Sequence, residues 1–211
     1  MRRYFQQIAI ITFCLAALTL SAQSQGKAHT YTIVPSESSF WVFVPKAGLL
    51  SGFGHDHNIG VKSFSGKVVV PEAGAGGGSL ELEVNAQSLV LLDTKPSEED
   101  RKKITGSMHN EVLESAKYQK ITFKSVSVSD LKSTGAESYT FTLNGDLTLH
   151  GVTKRIALPV TAKINAQQLR AGGKYTLKQT DFGIKPFSAV GGAVKVKNEV
   201  VVNFDIVAKA S

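Results

Sequence analysis

Apolar and polar residues alternate one by one along much of this chain. In residues 155–164, every second residue is apolar, from Ile156 through Leu158 and Val160 to Ile164. A period of two is that of a β-strand with one face against an apolar interior. The alternation therefore predicts a sheet that buries one of its faces.

A series of further segments shows strand character. The predicted strands cover residues 30–34, 38–44, 61–70, 79–84, 121–128, 139–149, 155–164, 174–179 and 193–207. Gly, Pro, Asn and Asp separate them, and no repeated helix crossovers intervene, which favours an antiparallel barrel or sandwich. Asn198 and Glu199 interrupt the last segment, so it predicts either a hairpin or one bent strand.

One segment has the period of a helix instead. Ser97 stands before three acidic residues that suit the positive end of a helix. Its apolar residues recur every four positions on one face: Ile104, Met108 and Val112. We expect a helix over residues 97–114, interrupted at Gly106, that packs on the sheet as a lid. A membrane-binding surface is the alternative for its apolar stripe.

A closed antiparallel sheet sends one face of every strand inward. A barrel of eight strands has an interior that side chains fill, or that holds one small ligand as in lipocalins. The inward residues are aliphatic or phenylalanine with few charges, so a hollow barrel would take an apolar guest. The alternation leaves the filled and the hollow barrel both open.

The first residues have the layout of a secretory signal peptide. Arg2 and Arg3 precede an apolar run over residues 8–20, and small and polar residues follow. The run is shorter than the roughly 20 residues that span a bilayer. We therefore expect residues 1–24 to be the signal and residues 25–211 to form one domain, periplasmic or secreted after cleavage. An uncleaved anchor is the alternative.

Composition narrows the chemistry of the mature chain. The one cysteine, Cys14, lies within the predicted signal, so neither a disulfide nor a cysteine-based metal site or nucleophile is expected. Loss of Arg2 and Arg3 lowers the formal net charge from +7 to +5. This mild excess suits an anionic surface or lipid head groups, or is simply a solvated surface. No nucleic-acid partner and no cofactor are predicted.

Two motifs are the most specific features of the sequence. Residues 145–154 read Gly-Asp-Leu-Thr-Leu-His-Gly-Val-Thr-Lys, and residues 118–125 read Tyr-Gln-Lys-Ile-Thr-Phe-Lys-Ser. Together with residues 51–66 and 181–184, they resemble segments of the YceI-like family of periplasmic, lipocalin-like lipid-binding proteins. Gln119 stands where that family has a proline.

The resemblance implies an extended antiparallel barrel whose apolar pore carries or stores a long-chain amphiphile without turnover. Such a ligand is a polyisoprenoid, an isoprenoid quinone or a fatty acid. The predicted fold class is thus all-β, an extended antiparallel eight-stranded lipocalin-like barrel with a short helix packed near one end. By the resemblance, the first barrel strand lines the pore with Phe40, Val42 and Val44. Alternation adds further candidates: Phe123, Leu147, Leu149, Phe182 and Phe204. Transient membrane contact and a homodimer are left open.

The histidines offer a different function. His55 and His57 lie two residues apart with a carboxylate between them, a spacing that suits zinc or copper if His109 or His150 supplies a third ligand. The other interpretation is a polar turn at the barrel mouth whose histidines bond to the backbone or to a ligand head group. His150 is expected to fix its own corner by hydrogen bonding. The alternatives to a carrier are therefore a metal-binding protein or metal-dependent enzyme, and a filled-barrel stress-response accessory protein.

Overall fold

The computed structural model describes residues 27–48, 55–72 and 74–211, and most of these residues lie in β-strands. The strands are β1 (Ala28–Ile33), β2 (Ser39–Val44), β3 (Lys46–Ala47), β4 (His57–Val61), β5 (Phe64–Pro71), β6 (Ser79–Asn85), β7 (Leu89–Leu91), β8 (Lys120–Gly135), β9 (Ser138–Leu149), β10 (Val152–Ile164), β11 (Gln168–Lys178), β12 (Ser188–Ala189), β13 (Val194–Val196) and β14 (Glu199–Ala210). The predicted signal peptide, residues 1–24, lies outside the described residues.

Eight strands form a closed antiparallel barrel. Their order is β1-β5-β6-β8-β9-β10-β11-β14, and β14 returns to β1. The closing register places Tyr31 opposite Ala210 and Ile33 opposite Ala208. The prediction of an eight-stranded antiparallel barrel with one short helix is confirmed. Closure leaves the ring itself without an unpaired edge.

Strand β14 divides one of its edges between two partners. Residues 208–210 pair with β1, whereas residues 201–205 pair with β2. Beyond β2, the sheet continues through β4 to β7. The Ser38 hydroxyl lies at this division, where it donates to the Val34 carbonyl at 2.8 Å and accepts from the Val207 N–H at 3.0 Å. The barrel wall therefore forks, and the branch of β2, β4 and β7 extends it.

The predicted helix is present as α1 (Glu98–Ser107), followed by a π-helical turn at Met108–Val112. The Ser97 hydroxyl oxygen accepts the Asp100 N–H at 3.1 Å, as its place before the acidic residues indicates. The expected interruption at Gly106 is wrong, because the α-helix continues past it and only then widens. In the described parts of the chain, no helix is long and apolar enough to span a membrane.

The segment over residues 193–207 is neither the hairpin nor the single bent strand expected from its pattern. Its first part, β13, pairs with β3 and β12 in a small separate sheet. Its second part is β14 of the barrel. The interruption at Asn198 is therefore a change of sheet. The Asn198 side chain bonds to Thr180, 18 residues earlier, at the point where the chain enters the ring.

Tyr31 ties β1 to the turn between β10 and β11. Its side chain is 1% exposed, and its hydroxyl donates to the Asn165 carbonyl at 2.8 Å. Burial raises the pKa of the Tyr31 phenol. Asn165 holds the turn in place, since its side-chain oxygen accepts the N–H groups of Gln167 and Gln168. This end of the barrel is thus fixed by hydrogen bonds between the strand and the turn.

Candidate functional site: an apolar cavity in the barrel

The barrel encloses a cavity of about 450 Å³. Each of the eight ring strands contributes apolar side chains to its wall, and so do β2, β4, β7 and the helical segment. On α1 and the turn after it, Ile104, Met108 and Val112 line the cavity, so the apolar stripe of the helix faces the barrel interior. The predicted lid packing is present.

The alternation of the sequence explains why the wall is apolar. On β10, the side chains of Ile156, Leu158, Val160, Ala162 and Ile164 all line the cavity. Successive residues of a strand point to opposite faces, so the intervening Thr161 and Lys163 are exposed on the outside. One strand pattern therefore supplies both a dry interior and a wetted exterior.

Seven of the eight residues proposed as pore lining lie on the cavity wall: Phe40, Val42, Val44, Phe123, Leu147, Leu149 and Phe204. Phe182 does not. It lies in the 3-10 turn Gln179–Phe182 that follows β11 and is buried in the core at 2% exposure. Counting alternation into this turn was wrong because the strand ends at Lys178. Ligand contact by the other seven side chains stays a prediction.

Gly145, in the motif over residues 145–154, makes room for a wall residue. A Cβ atom at this position would lie 2.4 Å from Cζ of Phe123, far inside van der Waals contact. Phe123 pairs with Leu147 on the neighbouring strand, and its ring lies across Gly145. The glycine therefore allows the Phe123 ring to adopt its place in the wall.

His150 and Gly151 form the two-residue turn between β9 and β10. Their φ angles are +52° and +75°, and a tight hairpin turn of the I′ type requires positive φ at both central residues. His150 Nε2 lies 2.9 Å from Oε2 of Glu114, and its ring centroid lies 4.1 Å from that of Tyr118. His150 hydrogen-bonds at its corner, as the motif predicts, and ties the hairpin to the segment after the helix.

His55 and His57 have separate surroundings. His57 lies at the start of β4 and lines the cavity, and its Nδ1 is 2.8 Å from Oδ2 of Asp93. His55 is exposed and lies on a surface groove outside the barrel. Over residues 27–48, 55–72 and 74–211, no three His, Cys, Asp or Glu side chains are grouped as metal ligands. The two suggested third ligands have other partners, since His109 contacts Ser115 and the Leu89 carbonyl and His150 contacts Glu114.

Polar side chains are a minority of the cavity wall: His57, Ser79, Lys103, Ser107, Tyr175 and Gln179. Four of them bond to the protein itself, and two of these four are His57 with Asp93 and Lys103 with Glu99. The Ser107 hydroxyl donates to the Glu111 carboxylate at 2.9 Å, and the Gln179 amide donates to the Lys197 carbonyl at 2.8 Å. Of these groups the sequence indicated only His57, because apolar periodicity carries no signal for single polar residues on an inward face.

Tyr175 supplies a phenol to the wall. Burial, and then the charge of Asp181, raise the pKa of Tyr175. Since an ordinary tyrosine titrates near pH 10, this phenol is neutral at neutral pH. It adds a polar atom to the cavity without adding a charge.

The comparisons with known proteins agree with this architecture. A family model described as YceI-like domain matches residues 31–208. A protein of Shewanella oneidensis named UPF0312 protein is 40% identical over 102 residues, which is 46% of this chain and 49% of that protein. The chain thus matches about half the length of this curated relative.

Solved structures share the fold at low sequence identity. BcnA of Burkholderia cenocepacia aligns with a TM-score of 0.63 at 19% identity, covering 83% of this chain and 98% of BcnA. A polyisoprenoid binding domain from Saccharophagus degradans aligns with a TM-score of 0.61 at 16% identity, covering 86% of this chain and 98% of that domain. A YceI protein of Campylobacter jejuni aligns with a TM-score of 0.53 at 16% identity, covering 72% of this chain and 84% of that protein's chain.

Proposed function

This chain belongs to the YceI-like domain family, and from that premise we propose that it binds a long-chain amphiphilic lipid in its barrel and carries or stores it without turnover. The ligand class is a polyisoprenoid, an isoprenoid quinone or a fatty acid. The name of one structural neighbour, a polyisoprenoid binding domain, supports this class of cargo.

The cavity carries the proposal. A volume of about 450 Å³ lies within the range of small-molecule sites, roughly 300 to 1,000 Å³. Burial of each methylene group contributes about 0.8 kcal/mol, so a long hydrocarbon chain gains affinity along its whole buried length. The cavity wall of the protein offers few polar groups that could bind a compact polar ligand. An open interior also argues against the filled-barrel alternative.

A carrier must exchange its ligand, and we propose that it does so in transient contact with an anionic membrane after export. The segment that contains β12 and β13 supports this step. Val190 is 72% exposed, and the exposed Lys185, Lys195 and Lys197 surround it in the sequence. Phe187 from the same segment lines the cavity. An apolar tip with basic neighbours suits the surface of anionic lipids.

Native mass spectrometry of the protein purified from the periplasm of its own host tests the proposal. We expect a retained mass that matches a prenyl-type or fatty-acyl lipid and that disappears after delipidation. A zinc- or copper-sized increment would instead support metal binding by His55 and His57. Recovery of the bare polypeptide, with no uptake of added long-chain lipid, would contradict the carrier.

A matched pair of variants locates the ligand. Leu147 is a half-buried wall residue, whereas Val126 is 54% exposed on the outside of the neighbouring strand. Leu147→Asp should reduce lipid uptake at least tenfold, because a carboxylate in the wall resists desolvation, and Val126→Asp should leave it unchanged. Circular dichroism checks that both variants fold. Equal lipid uptake by the two folded variants would place the ligand elsewhere.

A further inference from the structure

We propose that His57, oriented by Asp93, forms a head-group site in the cavity wall, which selects ligands that carry a hydroxyl group, namely long-chain alcohols or phenols. This inference rests on the proposed function, since it assigns the polar end of the same ligand.

Asp93 is held in one orientation by three contacts. Its Oδ1 accepts the backbone N–H of Asn58 at 3.0 Å and the Asn58 side-chain amide at 3.2 Å. Its Oδ2 lies 2.8 Å from Nδ1 of His57. The side chains of His57 and Asp93 are 17% and 12% exposed. Both carboxylate oxygens are thus committed, and the imidazole is aligned by a rigid partner.

These contacts determine which nitrogen of His57 carries the proton. A carboxylate that receives N–H donors on one oxygen is an acceptor, so the short contact at the other oxygen requires a proton on Nδ1 of His57. In a neutral imidazole, the second nitrogen then has a lone pair and accepts a hydrogen bond. In this neutral form of the ring, Nε2 of His57 is therefore the acceptor.

The acceptor belongs to a side chain of the cavity wall. His57 is part of the cavity wall, and within the described residues no hydrogen bond to its Nε2 is found. No buried side-chain nitrogen or oxygen of these residues lacks a partner, so Nε2 is an accessible atom and not one sealed in the core. In an apolar cavity, the matching ligand group is a hydroxyl that donates to Nε2.

Charge opposes the alternative head groups. The Asp93 carboxylate lies one imidazole away from the ligand, so a carboxylate or phosphate head would bring a second negative charge into a poorly solvated site. Lys103 also lines the cavity, but its side chain is 67% exposed and its ammonium contacts Glu99 at 2.7 Å, so water and Glu99 screen its charge. The site therefore favours a neutral donor over an anion.

Three ligands of one chain length test the head group: geranylgeraniol, its methyl ether and geranylgeranoic acid. The ether keeps the oxygen but cannot donate a hydrogen bond. At pH 7.5, the full mature protein should bind the alcohol about fivefold to tenfold more tightly than the ether, which is the range of one net hydrogen bond. It should bind the acid more weakly than the alcohol.

Variants show whether His57 is responsible. His57→Phe should bind the alcohol and the ether equally, with ether affinity close to that of the wild type. His55→Phe is the matched control, because the exposed His55 lies two residues away outside the barrel, and it should keep the preference. Asp93→Asn removes the charge at nearly constant shape and should narrow the discrimination against the acid.

The outcomes separate this inference from the carrier function. Equal affinity of the wild type for alcohol and ether would overturn the head-group site while the lipid carrier stands. A preference that persists in a folded His57→Phe variant would also overturn it. If the wild type bound none of the three ligands, the proposed function itself would fail.

Discussion

Two histidine–carboxylate contacts occur among the residues that the structure describes, and they have different consequences. His57 contacts Asp93 at 2.8 Å, and His150 contacts Glu114 at 2.9 Å, each across 36 residues of sequence. His150 packs against Tyr118 at a hairpin corner, whereas His57 is part of the wall of the apolar cavity. The contact alone therefore does not indicate a role. The surroundings of the ring determine whether the pair supports the fold or meets a ligand.

The His150 pair joins two residues with unfavourable backbone conformations. His150 has φ of +52° and Glu114 has φ of +42°. A residue other than glycine in this region costs on the order of 1 kcal/mol or more. The hydrogen bond between the two side chains offsets part of that cost and holds the end of the helical segment against the hairpin.

Of the two pairs, we expect the His150 pair at the hairpin corner to have the larger effect on the stability of the protein. His150→Ala should lower the free energy of unfolding by about 2 kcal/mol, because it removes a hydrogen bond to a carboxylate and the ring contact with Tyr118. Urea denaturation of the delipidated protein measures this change. His150→Asn is the control, since asparagine tolerates positive φ and should lose less. A loss of the alcohol preference in His150→Ala would break the distinction between the two pairs.

A smaller loss of stability is expected at the cavity. His57→Phe should lower the free energy of unfolding by about 1 kcal/mol or less, because Asp93 keeps its hydrogen bonds from Asn58 and a phenyl ring suits the apolar wall. The same denaturation experiment applies. A loss larger than that of His150→Ala would mean that the His57 pair is the structural one.

The smallest effect on stability is expected from a carboxylate that is paired with an arginine instead of a histidine. Arg170 donates to Asp205 at 2.8 Å on the outer face, and this hydrogen bond lowers the pKa of the Asp205 carboxyl. Its contribution to stability is therefore fully present above the usual aspartate range near pH 4 and is lost as the pH falls through the lowered pKa.

Arg170→Gln tests this baseline. The variant should unfold at slightly lower urea concentration than the wild type at pH 7, because exposed ion pairs contribute little, and the difference should shrink as the pH falls below the usual aspartate range and through the lowered pKa of Asp205. A difference that grows on acidification would contradict the direction of the pKa change. The expected result is a small contribution, because water screens this exposed pair.

The local parts of the molecule were predictable from sequence. The alternation from Ile156 to Ile164 identified a wall strand, because inward direction depends only on the position within a strand. Ser97 identified the start of the helix, because its capping hydrogen bond reaches only three residues along the chain. The signature glycines and His150 indicated a turn, since a tight turn needs particular residues at particular positions.

The remaining parts depended on contacts far apart in sequence. No pattern pairs His57 with Asp93, because the two meet only after β4 and β7 join the sheet. Phe182 fell in an apolar pattern but lies in a turn after its strand has ended. The change of sheet between β13 and β14 was not predictable either. An asparagine between two strand-like stretches is also typical of a hairpin turn, so Asn198 did not distinguish the two arrangements.

Because β14 pairs with β1 and with β2 through different residues, the contacts that close the ring are distinct from those that attach the branch of β2, β4 and β7. The ring is closed through β1, at residues 208–210, while β2 pairs with a different stretch, residues 201–205. Breaking the second set of hydrogen bonds would detach β2, β4 and β7 without opening the eight-stranded ring. In hydrogen–deuterium exchange, the amides of β2 and β4 are accordingly expected to form their own cooperative unit, which opens at lower free energy than the ring. In the proposed carrier, a long-chain ligand would then pass through the wall by this partial opening while the ring stays closed.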